Sequence, residues 1–266
     1  MVSLPSETGK ISEITGKGDQ VTMKLENRRA IVTGAAQGLG FAIASRLNAE
    51  GCKVAMLDIN EEKVCAAAAE LKDCFGVKCN VSSADDIAAA VKTCAEKLGG
   101  IDIVVNNAGI LHNSSIPEAT EKEWDMVLAI NLKGPFFVVQ QALPYLKESS
   151  CARVINIGSL AGRMGGFETG LAYSASKGGI NALTMGLARQ LSPFKINVNA
   201  VCPGTTETPI TQAFTPEAME RLLTRIPLGR LGQPADMAAA VAFLASDDAA
   251  FITGLLMDVN GGMYMG

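Results

Sequence analysis

The pentapeptide Tyr173-Ser174-Ala175-Ser176-Lys177 sets a phenol and an ammonium four residues apart. On a helix, residues i and i+4 share a face, so the two groups point the same way. A cation a few ångströms from a phenol favours the phenolate and lowers its pKa from the usual ~10. Such a tyrosine acts as a general base toward an alcohol near neutral pH, or as an acid toward a carbonyl. Taken alone, the spacing suits an ordinary helix-surface pair better.

A second group of residues points to a ligand. Thr33-Gly34-Ala35-Ala36-Gln37-Gly38-Leu39-Gly40 follows a β-branched run and opens a helical one. Glycines there let the backbone approach a pyrophosphate, and the helix start offers free N–H groups and the positive end of its dipole. The spacing is G-x-x-x-G-x-G, which by itself also suits a plain strand-to-helix connection. Asp58 adds to it. It closes the run Val54–Asp58, 18 residues after Gly40, where a carboxylate can accept bonds from an adenosine ribose diol. That carboxylate repels a 2′-phosphate and Gln37 offers no cation to one, so the two residues favour NAD over NADP.

These groups need a scaffold, and the hydrophobic pattern supplies it. Short β-branched runs (Arg29–Thr33, Lys53–Asp58, Ile101–Asn106, Arg153–Ile157, Ile196–Ala200) each precede an amphipathic stretch. Helices are expected over Leu39–Glu50, Glu61–Lys72, Ala84–Leu98, Glu121 to about Leu132 with an apolar continuation to Leu146, Tyr173–Leu191, Pro216–Arg225 and Pro234–Ala245. Leu255–Val259 reads as one more strand. Near-continuous apolar strands alternating with helices predict an α/β fold, a doubly wound, Rossmann-like parallel sheet in a single domain. That domain is expected from residue 23 to 266, with residues 1–22 as a flexible extension carrying neither a secretory signal nor a transit peptide.

Composition narrows the function classes. Of the 266 residues, 48% are hydrophobic, which suffices for a sizeable core. No run of 18 apolar residues occurs, and the net charge of −4 gives no footprint for nucleic acid. Seven cysteines, an odd number with no C-x-x-C, fit neither a disulfide framework nor a zinc site, so no metal is expected. Buried structural thiols in a reducing cytoplasm are the reading. The 27 glycines exceed the usual ~7% share and mark the turns where backbone must come close to something.

Taken in order, the motifs resemble those of the short-chain dehydrogenases/reductases, from about Met23 to the C-terminus. The matching pieces are the glycine turn, Asp58, Asn106-Asn107-Ala108-Gly109, Asn131, Ser159, Tyr173 with Lys177, Pro203-Gly204 with Thr208, and Val259–Gly262. The resemblance implies that Tyr173 is the acid/base and that Lys177 lowers its pKa and holds the nicotinamide ribose. Ser159 would orient the substrate oxygen, and Asn131 a water linking Lys177 to solvent. The cofactor cleft would take Gly34, Gln37, Gly38, Leu39, Gly40, Asp58, Asn80, Val81, Asn106, Asn107, Ala108 and Gly109, then Pro203, Gly204, Thr206 and Thr208. Asn80-Val81 stands where the family often has Asp-Val, and an amide can still bond an adenine amino group. A homotetramer is implied, packed through helices near Trp124–Leu146 and Tyr173–Leu191.

Within the family, Pro227–Gly232 and Asn260–Met265 look like the 3-oxoacyl-carrier-protein reductases. Those enzymes typically use NADPH and grip an acidic carrier with arginines, at positions corresponding to Cys151 and Phe194. Asp58 and these two residues therefore favour an NAD-dependent dehydrogenase of a secondary alcohol (polyol, sugar or hydroxy acid). Oxoacyl reduction is the alternative, and a non-catalytic dinucleotide-binding module the alternative of another class. Gly162–Gly170 is the expected substrate segment. Its Arg163 and Glu168 could meet an anionic or hydroxylated substrate but read better as solvated loop charges. His112 is assigned no role.

Overall fold

Strand and helix alternate along the chain. β1 (Arg29–Thr33) leads to α1 (Gly38–Ala49), β2 (Lys53–Asp58) to α2 (Glu61–Ala69) and β3 (Cys74–Lys78) to α3 (Ala84–Leu98). β4 (Ile103–Asn106) is followed by α4 (Glu121–Leu128), a π-helical turn (Ala129–Lys133) and α5 (Gly134–Glu148). β5 (Arg153–Ile157) leads through the one-turn α6 (Ala161–Met164) to α7 (Leu171–Leu191). β6 (Asn197–Pro203), α8 (Pro216–Leu223), α9 (Pro234–Ala245) and β7 (Leu256–Val259) complete the order. The structure, a computed structural model, describes residues 24–166, 169–207 and 215–266. The expected N-terminal extension, Met23, Phe167, Glu168 and Thr208 lie outside the described residues.

The seven strands pair in parallel in the order β3-β2-β1-β4-β5-β6-β7. Successive strand residues face opposite sides of the sheet. Ala30 and Val32 thus pack with α1, α2 and α9, while Ile31 between them packs with α3, α5 and α7. Both faces are covered, which is why the strands read as unbroken apolar runs. The chain reverses its direction of winding between β1 and β4, and in such sheets ligands bind at the strand carboxyl ends there.

Three features differ from the sequence reading. Cys74–Lys78 is a full strand in register with β2, yet its residues are only partly buried and it contains Gly76, so its pattern is weak. The helix expected from Glu121 is broken by the π-helical turn before resuming at Gly134. Across that break, Glu121–Glu148 is long and apolar enough, at a mean hydropathy of 1.3, to cross a membrane by composition alone. Here its apolar residues Val138, Val139, Ala142 and Leu146 are buried in the core cluster on the sheet. Finally, the expected substrate segment begins with α6, a single helical turn.

Candidate active site

The glycine turn is shaped by contact as much as by conformation. A Cβ on Gly40 would lie 2.1 Å from the Gly34 carbonyl oxygen and 2.6 Å from Asn107 Nδ2, so only glycine allows α1 to start this close to the turn. Gly38 has φ +59°, and a Cβ there would meet nothing within 4 Å. It faces open space, and its left-handed backbone is what requires glycine. Gln37 at the N-cap makes no side-chain capping bond, and the first turn of α1 carries no acidic residue. The N–H groups of that turn are left to an anion, which fits the diphosphate of a dinucleotide. Asn107 ties the turn to β4. Its Nδ2 donates to the Thr33 and Gly34 carbonyls at 3.0 and 3.1 Å, and its N–H and that of Ala108 donate to Thr33 Oγ1 at 3.0 Å.

Asp58 turns its carboxylate toward the same turn. Oδ2 accepts from the Ala36 N–H at 3.2 Å and Oδ1 from the Asn60 N–H at 3.1 Å. No lysine or arginine occurs in Ala35–Leu39 or at Ile59 and Asn60. If Asp58 holds the adenosine ribose as the sequence reading expects, Asp58→Ala moves the NAD(H)/NADP(H) ratio of kcat/KM about tenfold toward NADP(H), the worth of one charge-assisted bond. Steady-state assays with both cofactors check this, and an unchanged ratio contradicts the ribose contact.

Across the cleft, Ser159, Tyr173 and Lys177 converge. Ser159 follows β5 by two residues, and its hydroxyl lies near enough to the Tyr173 phenol to favour the phenolate. Its Oγ also accepts from the Ala161 N–H at 3.1 Å. Lys177, one turn along α7 from Tyr173, is buried, with Nζ 5.7 Å from the Tyr173 ring centre. Nζ donates to the Ile157 carbonyl at 2.7 Å. One strand end therefore fixes both Ser159 and Lys177, and the ammonium has two more donors to give. Burial lowers the Lys177 pKa to about 8.

The phenol corrects the sequence expectation. Burial raises the Tyr173 pKa above its ordinary value, and the nearby Ser159 hydroxyl pulls the other way. Lys177, with Nζ 5.7 Å from the ring centre and donating to Ile157, stands near enough to stabilise a phenolate as it forms. At rest the phenol carries its proton, as an ordinary tyrosine does near neutral pH.

The π-helical turn carries Asn131 into the interior, where it is 1% exposed. Its Nδ2 donates to the Ile110 carbonyl and its Oδ1 accepts from the Ile110 N–H, both at 2.9 Å. Nδ2 also reaches Ser176 Oγ at 3.2 Å, beside Lys177. Gly109 packs against it, since a Cβ there would lie 3.3 Å from Asn131 Oδ1.

Asn106, expected to line the cofactor cleft, is instead buried beneath the site, and the residues it is linked with there escaped the sequence reading. Asn106 Nδ2 donates to Asn156 Oδ1 at 2.9 Å, and Asn156 Nδ2 to Thr184 Oγ1 at 2.9 Å. Asn181 Nδ2 donates to the Gly162 carbonyl at 3.0 Å. All four side chains are buried, threading β4, β5 and α7 beneath the site. The signal was present: Lys177, Asn181 and Thr184 stand at i, i+4 and i+7, a polar line on a largely apolar helix.

The remaining expected residues fall as follows. Asn80 Oδ1 accepts from the Ser82 N–H and hydroxyl at 3.1 and 2.8 Å, so it is engaged in a local turn. Val81 is buried against Gly134. Pro203 closes β6 and its carbonyl accepts from the Leu160 N–H at 2.8 Å. The Gly204 N–H donates to the Val259 carbonyl at 3.0 Å, and Thr206 Oγ1 donates to the Gly204 carbonyl at 3.2 Å. Arg163 is neither a solvated charge nor free for an anion, since it pairs with Asp258 at 3.2 Å. Cys65 is exposed rather than buried. His112, 3.8 Å from Glu123, lines a cavity of about 190 Å³ together with Ile116, Ala119, Trp124, Leu171 and Ala172. That groove ends at the residues immediately before Tyr173.

A helix start ready for an anion at the sheet's switch point, facing a serine–tyrosine–lysine cluster, is the layout of a dinucleotide-binding α/β oxidoreductase. The comparisons agree. A family model described as enoyl-(acyl carrier protein) reductase matches residues 34–264. A 3-oxoacyl-[acyl-carrier-protein] reductase of Staphylococcus aureus is 42% identical over 244 residues, covering 90% of this chain and 98% of its own. An uncharacterized oxidoreductase of Mycobacterium bovis is 36% identical, covering 91% of this chain and 98% of its own. A crystal structure from Brucella melitensis, titled short-chain dehydrogenase/reductase SDR: glucose/ribitol dehydrogenase, superposes with TM-score 0.84 at 36% identity, over 91% of this chain and 99% of that one. The chain belongs to the short-chain dehydrogenase/reductase family.

Proposed function

We propose that this protein reduces the ketone of 3-oxoacyl thioesters to the secondary alcohol with NADH. The observation that carries this reading is the apolar groove that runs to Gly170, Leu171 and Ala172, immediately before Tyr173 of the Ser159–Tyr173–Lys177 cluster. An apolar groove suits an acyl chain and offers little to a polyhydroxylated substrate. The likeness to the Staphylococcus reductase points the same way. The position expected to lack a cation for an acidic carrier also has one nearby, because Lys147 Nζ lies 3.8 Å above the Phe194 ring. The reading thus moves from the polyol class favoured by sequence to the oxoacyl class.

When bound at the glycine turn, with Asp58 on its adenosine ribose, the reduced nicotinamide supplies the hydride. The Ser159 hydroxyl and the Tyr173 phenol bond the ketone oxygen and fix its orientation. Tyr173 gives up its proton as charge grows on that oxygen. The Lys177 ammonium stabilises the phenolate left behind and holds the nicotinamide ribose with its remaining N–H groups. Exposed apolar side chains on α5 and α7, Phe136 and Met185 among them, support the homotetramer that the family resemblance implies.

Sugar or polyol oxidation is the second reading, favoured by the likeness to the Brucella structure. A panel of 3-oxoacyl thioesters of increasing length against ribitol, glucose and hydroxy acids separates the two. Thioesters are expected to be reduced, with kcat/KM rising with chain length as each buried methylene adds about 0.8 kcal/mol. NAD-linked polyol oxidation without thioester reduction would favour the second.

A further inference from the structure

Arg163 lies four residues after Ser159, in α6, and reaches across to β7. Its Nη2 is 3.2 Å from Asp258 Oδ2, and its Cζ lies 5.1 Å from the centre of the Tyr264 ring. Each side chain of the pair is 19% exposed, and the contact is single. Arg163 Nε and Asp258 Oδ1 are both buried without another hydrogen-bond partner. Each charge therefore depends on the other, and deleting either leaves the second uncompensated in a half-buried place.

The turn that Arg163 pins is the link between the two halves of the acid site. The Ala161 N–H donates to Ser159 Oγ at 3.1 Å and the Gly162 N–H to the Ser159 carbonyl at 3.0 Å. The Gly162 carbonyl accepts from Asn181 on α7, one turn past Lys177. Just beyond, the Gly165 carbonyl accepts from Ser174 Oγ at 2.8 Å, next to Tyr173. Gly165 and Gly166 both have positive φ, +90° and +72°, so the chain bends sharply where α6 ends. α6 is held by β6 through Leu160 and by α7 through Gly162 and Gly165, and Arg163 adds its tie to β7.

We propose that Arg163, anchored by Asp258 and Tyr264, is a positioning residue that keeps the Ser159 hydroxyl in register with the Tyr173 phenol. The inference rests on the reductase reading above but concerns the clamp, not the substrate. It also gives the C-terminal residues a part in the site, because Tyr264 stacks on the same guanidinium.

The test compares Arg163→Gln, Asp258→Asn, Arg163→Lys and the reversed pair Arg163→Asp/Asp258→Arg in the full chain. Arg163→Gln and Asp258→Asn are expected to lower kcat for ketone reduction about tenfold or more, since small misplacements of reacting groups cost that much, with NADH Kd changed by less than about twofold. Arg163→Lys keeps a cation within reach and retains most of the activity. The reversed pair recovers activity relative to either charge-deleting variant. Unchanged kcat, or losses of kcat, NADH binding and Tm in parallel without rescue, would overturn the proposal. Should the wild type reduce no ketone, the reductase reading fails by itself. The clamp is then read from amide hydrogen exchange, where faster exchange of residues 160–166 in Asp258→Asn supports it and unchanged exchange refutes it.

Discussion

Tyr173→Phe is expected to lower kcat for ketone reduction by a factor of about 10²–10⁴, the usual contribution of a positioned general acid. The substitution keeps the ring and its packing and removes one hydroxyl, which lies near Ser159. Folding should change little, because one hydroxyl contributes only about 1 kcal/mol. NADH affinity, followed by fluorescence, should stay close to wild type, since the glycine turn and Asp58 lie across the cleft. The loss therefore belongs to kcat. Turnover within about tenfold of wild type would mean that another group, or water, delivers the proton.

Lys177→Met carries the second large effect, and it separates stability from activity. The folded-state pKa of Lys177 is about 8, below its ordinary 10.5, and burial is the main cause. The folded protein thus binds this proton less tightly than the unfolded chain does. Its charge costs stability at every pH below about 8, and the cost fades as pH rises from there toward 10.5. Methionine fills the same space without the charge, so Tm at pH 7 is expected to hold or rise, although the Ile157 carbonyl loses a donor. kcat should still fall by a factor of about 10² or more, because the phenolate formed on Tyr173 loses its nearby cation. A large drop in Tm with most of kcat retained would assign Lys177 a purely structural role.

The fold was legible where side-chain pattern and burial coincide. β1, β2 and β5 are buried on both faces and read as apolar runs with the boundaries the structure shows. β3 is partly exposed and contains a glycine, so it carried too little pattern to be marked. The π-helical turn was invisible for a different reason: one extra residue in a helix leaves no periodicity of its own. At the site, Gly34–Gly40, Asp58 and Tyr173/Lys177 are local motifs with recognisable spacing. The Arg163–Asp258 pair joins segments far apart in sequence, and only the packing of α6 against β7 brings them together. The direction of the Tyr173 shift was also out of reach, because i and i+4 spacing shows a nearby cation but not how deeply both groups are buried. Asn156 and Thr184 lie between these cases, since helical spacing from Lys177 points to one and strand pairing is needed for the other.

The most direct measurement is the rate of NADH oxidation by the purified protein with an acetoacetyl thioester at neutral pH, repeated with NADPH. Reduction with NADH, at a kcat/KM about tenfold or more above that with NADPH, is the expected result, set by the Asp58 carboxylate and the protonated Tyr173 phenol. Turnover that requires NADPH, or none with either cofactor, would contradict it.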